Sequence, residues 1–169
     1  NIIDDIAQVC AWSPVPVVVK EVGFGLDVRS AKALVASGVD VLDVAGMGGT
    51  RFADIEIALN PEIHETLSSE SVFDGWGYTT IESLNMIKSA LPQTTCWASG
   101  GIRNGLDVAK SMCLGASAVG IAGKLLRPAT ESTEAVLTTL RQFMNELKIS
   151  CFGLGLESSK DLDRSHILE

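Results

Sequence analysis

Two hydrophobic patterns alternate along the chain: short continuous apolar runs, and longer stretches whose apolar residues recur every three to four positions. Ile2, Ile3, Ile6, Val9 and Cys10 form one helical stripe over residues 1–11, and Ser13-Pro14-Val15-Pro16 closes it. Pro16 to Lys20, PVVVK, stays apolar until it meets a charge, the pattern of a parallel strand buried on both faces. Asp27 is placed to cap a helix from Val28 to Ala36, with Ala31, Leu34 and Val35 inward and Ser37-Gly38 as its stop. A second strand, Val39 to Gly46, runs into Met47-Gly48-Gly49-Thr50, and a helical pattern follows from Phe52 to Leu59. After a mixed polar stretch from Asn60 to Trp76, Thr79-Thr80 caps a helix from Ile81 to Leu91. Thr94 to Ala98 reads as a third strand, and Asn104 caps a helix carrying Leu106, Ala109, Met112 and Cys113 inward, stopped by Gly115. The fourth strand is Ala118 to Ala122. Beyond Gly123 come a short helical turn, Pro128, and a helix from Thr133 to Leu147 with Ala135, Val136, Leu140, Phe143, Met144 and Leu147 inward. Strands near 17, 41, 96 and 120, each followed by a helix, predict an α/β fold of βα units with right-handed crossovers.

The candidate chemistry sits at the C-terminal ends of these strands. From Trp97 to Gly123 the order is strand, glycine turn, helix, strand, glycine turn. Gly100-Gly101 lets the backbone take positive φ and approach a ligand closely, and Gly123 ends the next strand in a similar way. Neighbouring strand ends that both present bare N–H groups suit an anion, as the loops after strands 7 and 8 do in a (β/α)8 barrel. Either turn alone is better read as a tight βα connection; the pair at this spacing favours phosphate. Lys20 and Glu21, followed by Gly23-Phe24-Gly25, occupy another strand end. There an active-site pair and a solvated charge pair beside a flexible turn are equal readings. Thr50 puts a hydroxyl at the tip of a third turn, and Trp76 and Tyr78 stand ready to wall a pocket or to cover the core.

At 169 residues and 46% hydrophobic, the chain can bury one domain-sized core. Its 13 basic and 21 acidic residues give a net charge of −8, with the basic ones scattered, which argues against nucleic acid as a partner. The apolar runs are strand-length and interrupted, so neither a membrane span nor a secretory signal is expected. Cys10, Cys96, Cys113 and Cys151 lie far apart without a CxxC pair, as reduced core residues of a cytoplasmic protein do.

Five stretches resemble one family: KEVGFG at 20–25, DVAGMGGTRFADIE at 43–56, WGYTT at 76–80, WASGGIRNGLDVAK at 97–110 and AVGIAG at 118–123. They are similar to the C-terminal half of type 2 isopentenyl diphosphate isomerase. The resemblance implies an FMN-dependent (β/α)8 TIM barrel, with residues 1–169 as the C-terminal part of one FMN-binding domain. Residue by residue it assigns Lys20 to the flavin ring, Thr50 to the flavin, and Gly100, Gly101, Arg103, Ala122 and Gly123 to the FMN phosphate region. No catalytic acid or base and no metal ligand is assigned within this chain. The family's reaction moves a double bond between isopentenyl and dimethylallyl diphosphates. FMN, NADPH as reductant and Mg2+ at the substrate diphosphate are the implied cofactors.

The family's HLNxxQE element and the first half of the barrel are expected before Asn1, and the chain opens without an initiator Met. A fragment, inactive alone, is therefore expected, its partner being a homo-oligomer or the N-terminal half-barrel. Ile57-Ala58-Leu59-Asn60 also lacks the arginine-rich continuation expected of relatives. Two other readings stand beside the isomerase. An FMN-dependent 2-hydroxy acid oxidoreductase needs a histidine at a strand end, and only His64 and His166 exist, neither at one. The other is a non-catalytic half-barrel that binds phosphate alone.

Overall fold

The computed structural model describes residues 1–60, 62 and 75–167. Helix α1 (Ile2–Trp12) leads into β1 (Val18–Lys20), α2 (Val28–Ala36) and β2 (Val41–Asp43). Next come α3 (Phe52–Leu59), α4 (Thr80–Ala90), β3 (Thr95–Ala98) and α5 (Gly105–Cys113). Finally β4 (Ala116–Val119) precedes α6 (Gly123–Glu131), α7 (Thr133–Gly153) and two 3-10 turns at Ser159–Asp161 and Arg164–His166. The expected caps at Asp27, Thr79 and Asn104 form, Asn1 adds one that the sequence reading did not name, and Thr79 with Glu82 completes a capping box.

The four strands form one parallel sheet in sequence order, β1-β2-β3-β4, with Lys20 beside Asp43 and Asp43 beside Trp97 in register. This is an α/β arrangement with a helix after every strand, as read from the sequence. The β3–β4 pairing skips one residue: Cys96 faces Ala116 while Trp97 faces Ala118, and the Ser117 hydroxyl compensates by bonding the Cys96 carbonyl at 3.1 Å. The fourth strand thus starts and ends earlier than the apolar run Ala118 to Ala122, because pairing with β3 stops at Val119.

Side chains alternate across the sheet. Leu42, Cys96, Ala98 and Ala116 point to the helices and share a buried cluster with Ala31, Leu34, Leu84 and Ile87. The opposite face is open: Val18 is 39% and Trp97 37% exposed. The expectation that PVVVK is buried on both faces is therefore met on the helix side only. Ile3, Ile6 and Cys10 of α1 pack on the core, whereas Ile2 and Val9 face solvent.

Three further expectations are corrected. Pro128 does not interrupt the chain after a short turn; it sits within α6, which continues to Glu131. Helix α7 runs beyond Leu147 to Gly153, and its residue Met144 is 57% exposed while Phe143 is buried. Leu106 of α5 is likewise exposed, because α7 packs on the side of α5 that carries Ala109 and Cys113. The tail after Leu156 buries Leu162 against Ala109, Cys113 and Cys151. All four cysteines are free thiols, and burial pushes the Cys96 and Cys113 thiols up.

Candidate functional site

The loops that leave the C-terminal ends of all four strands converge on one cleft of about 670 Å³. Its wall contains the seven residues that the resemblance assigns to the flavin: Lys20, Thr50, Gly100, Gly101, Arg103, Ala122 and Gly123. The long connection between Asn60 and Trp76, including His64, lies largely outside the described residues.

The loops interlock through glycine. At Gly100, φ is +89°, and a Cβ there would lie 2.2 Å from the Gly46 carbonyl oxygen. At Gly101, φ is +75°, and a Cβ would lie 2.9 Å from the Gly48 carbonyl carbon. Both missing side chains would strike the loop after β2. The idea that these two glycines clear room for a ligand is thus corrected; they let one loop backbone lie on the next. Gly123 differs, with nothing within 4 Å of its Cβ position.

Hydroxyls and carboxylates fasten the same loops. Thr80 donates its hydroxyl to the carbonyls of Ser99 and Gly100, each at 2.7 Å. Ser83 accepts from the Leu26 N–H at 2.8 Å and donates to the Leu26 carbonyl at 2.5 Å, tying α4 to the loop after β1. Glu21 is not a solvated partner of Lys20: one carboxylate oxygen accepts the N–H groups of Gly23, Phe24 and Gly25 at 2.8, 2.6 and 3.0 Å. The turn is thereby held rigid, and the Lys20 ammonium donates to the Glu21 carbonyl at 2.8 Å at the cleft edge. Tyr78 donates its N–H to the Phe24 carbonyl at 2.7 Å, so the aromatic stretch buttresses this turn and Trp76 and Tyr78 stay off the cleft wall.

Of the helices that follow β3 and β4, α5 has a side-chain cap at its N-terminus and α6 does not. In α5 the Asp107 N–H goes to Asn104 at 2.8 Å and the Gly105 N–H goes to the Glu146 carboxylate at 2.6 Å. The Gly105 bond holds the Glu146 carboxyl below its ordinary pKa. The first turn of α5 is thus already capped by carboxylate and amide. Helix α6 has no side-chain cap, and among the described residues nothing accepts from the N–H groups of Gly123 and Lys124. That end presents N–H groups and the positive end of the helix dipole to the cleft, the arrangement that suits an anion.

Three cations, Lys20, Arg103 and Lys124, line the cleft against one carboxylate, Asp43, in a molecule of net charge −8. A local positive field in an acidic protein concentrates anionic ligands there. Sequence reasoning missed Lys124, Asp43 and Ser99. Lys124 follows a glycine already singled out; Asp43 and Ser99 carry no signal until the register and the loop contacts bring them to the cleft. His166 lies elsewhere. Its ring approaches the Asp163 carboxylate at 3.1 Å, beside a second hollow formed by Pro92 and Gly115 at the N-terminal ends of β3 and β4.

Residues 2–169 match the family model described as FMN-dependent dehydrogenase. The chain is 39% identical over 169 residues to a protein of Stutzerimonas stutzeri (strain A1501) named isopentenyl-diphosphate delta-isomerase, covering 100% of this chain and 49% of the relative. A protein of the same name from Rickettsia prowazekii (strain Madrid E) is 39% identical over 170 residues, covering 99% and 49%. The chain therefore spans about half the length of the curated relatives it matches, and the resemblance drawn from its motifs is borne out. Among solved structures, that of an oxidized active mutant of (S)-mandelate dehydrogenase superimposes with a TM-score of 0.74 at 17% identity, over 97% of this chain and 39% of that one. This likeness shows the fold, four consecutive βα units of a TIM barrel. The chain belongs to the FMN-dependent dehydrogenase family.

Proposed function

We propose that this chain is the FMN-phosphate half of an isopentenyl-diphosphate delta-isomerase, and that FMN occupies the cleft between its four loops. The observation that carries the reading is the uncapped N-terminus of α6 beside Arg103 and Lys124, in a cleft that Lys20 also lines. The residues fit the cofactor. Gly123 and Lys124 offer N–H groups to a phosphate, Arg103 and Lys124 balance its charge, and Ile102 and Ile121 supply apolar wall. Thr50 offers a hydroxyl from the loop after β2, and the Lys20 ammonium at the cleft wall would stabilise negative charge on reduced flavin bound there. Bound FMN supplies the proton-transfer chemistry of the family at its ring, while this chain holds and orients it.

The open sheet face, and the edges of β1 and β4 that no strand among the described residues covers, fit a barrel whose other staves come from an N-terminal half-barrel or another copy. Substrate diphosphate, NADPH and a cytoplasmic location belong to the same proposal. No helix among the described residues is long and apolar enough to cross a membrane. Among the described residues no group of three or more His, Cys, Asp or Glu is placed to hold a metal, so Mg2+ enters the proposal with the substrate diphosphate. The 2-hydroxy acid reading has less support, since no histidine lines the cleft among the described residues.

Fluorescence titration of the complete protein with FMN, followed by conversion of labelled isopentenyl diphosphate with reduced FMN and Mg2+, tests the proposal. Saturable one-to-one quenching and double-bond migration are expected. FMN binding with oxidation of a 2-hydroxy acid and no isomerisation would overturn the assignment in favour of the oxidoreductase.

A further inference from the structure

The most buried titratable side chain of the cleft wall is Asp43, 7% exposed, at the C-terminal end of β2. It is the register partner of Lys20, and strand alternation puts both side chains on the face turned away from the helices. Adjacent strands lie about 5 Å apart, so the two opposite charges are close neighbours. They nevertheless do not pair. Lys20 spends a hydrogen on the Glu21 carbonyl, and among the described residues it makes no ion pair. Asp43 turns one oxygen to the Ser99 hydroxyl at 2.7 Å and to the Ala45 N–H at 3.2 Å. Ala45 is the one non-glycine residue with positive φ among those described, at 34°, so the chain accepts a strained backbone where this carboxylate is held.

Two consequences follow from that arrangement. The Ser99 hydroxyl anchors the turn that carries Gly100 and Gly101, so the carboxylate fastens the loop after β3 to β2. The same carboxylate keeps a negative charge beside the Lys20 ammonium inside a partly enclosed cleft, where charges are screened less than at the surface.

We propose that Asp43 is a positioning residue that acts on the flavin through Lys20 and Ser99: its charge offsets Lys20 and restrains the stabilisation of reduced flavin, while its hydrogen bond holds the glycine turn. The proposal rests on the reading that FMN fills this cleft. The two roles separate by substitution. Asp43→Asn removes the charge and keeps an acceptor for the Ser99 hydroxyl. Ser99→Ala keeps the charge and removes the hydrogen bond.

The test measures the affinities of oxidised and dithionite-reduced FMN for the complete protein and its variants, together with the thermal stability of the cofactor-free forms. Asp43→Asn is expected to bind reduced FMN more tightly relative to oxidised FMN by on the order of tenfold, the scale of one partly buried unit charge. For a two-electron couple tenfold is about 30 mV of potential, here upward. Ser99→Ala is expected to weaken both forms alike and leave their ratio unchanged. Lys20→Met is expected to move the ratio in the opposite sense. A ratio unchanged in Asp43→Asn, with FMN still bound, would overturn the charge role, because loosened packing alone does not favour one redox form. Should Asp43→Asn fail to fold, Asp43→Ser is judged by the same criterion. Failure of the unaltered protein to bind FMN sinks the cofactor reading itself, an outcome distinct from an unchanged ratio.

Discussion

Gly100 and Gly46 belong to neighbouring loops and touch backbone to backbone: a Cβ on Gly100 would stand 2.2 Å from the Gly46 carbonyl oxygen. The contact explains why the turn after β3 is glycine-rich without invoking a ligand at that point. Gly100→Ala is expected to lower stability by about 2–4 kcal/mol, from a left-handed φ and a collision with rigid backbone. Gly101→Val belongs to the same class, since its branched side chain meets the Gly48 backbone at 2.9 Å. Gly123→Ala is the control and should change stability by less than about 0.5 kcal/mol. Urea denaturation of the three variants checks the contrast, and a stable Gly100→Ala protein would show that the loops are not locked together.

Glu146 lends its carboxylate to the Gly105 N–H across the α5–α7 contact. That bond favours the charged form, so the folded-state pKa lies below the unfolded one. The stabilisation is present above the unfolded carboxylate value and is lost as pH falls through the lower folded value. Glu146→Ala should therefore lower Tm at neutral pH, and its deficit should shrink toward zero in acid. Thermal melts of both proteins across that range check it; a deficit that persists at low pH would assign the effect to packing.

Lys124 lies beside the uncapped start of α6, where a cation is unfavourable to the helix dipole unless an anion faces it. Replacing it with Met should weaken FMN binding by about tenfold, the scale of one charge-assisted hydrogen bond. Riboflavin, which lacks the phosphate, should bind the variant as it binds the unaltered protein. Equal losses for the two ligands would move the phosphate away from α6.

The 169-residue chain by itself should not isomerise isopentenyl diphosphate at a useful rate. One face of its sheet is open, and on the proposed reading the metal and diphosphate contacts lie outside these 169 residues. Positioning contributes roughly 7–11 kcal/mol to barrier reduction, and losing even about 4 kcal/mol slows turnover by roughly a thousandfold. Incubation with labelled substrate, reduced FMN and Mg2+ checks this, and conversion near the rate of the complete protein would place the essential groups in this half.

Much of this molecule was legible in the sequence because the relevant physics is local. Apolar periodicity and the capping side chains of Asp27, Thr79 and Asn104 decide where helices begin, and the βα alternation decides that the strands run parallel. Lys20, Thr50 and the glycines were found because they end apolar runs, and strand ends are where such a fold gathers ligand-binding atoms. Tertiary structure decided the rest. Whether Gly100 makes room for a ligand or for Gly46 depends on a loop more than fifty residues earlier. Whether the start of α5 is free to bind an anion depends on Glu146 arriving from α7. Asp43 became a site residue only through its register with Lys20 and its bond to Ser99. Each of these is a contact between distant segments, and the pattern of residues along a chain sets what a segment can form, not which distant atom fills the space beside it.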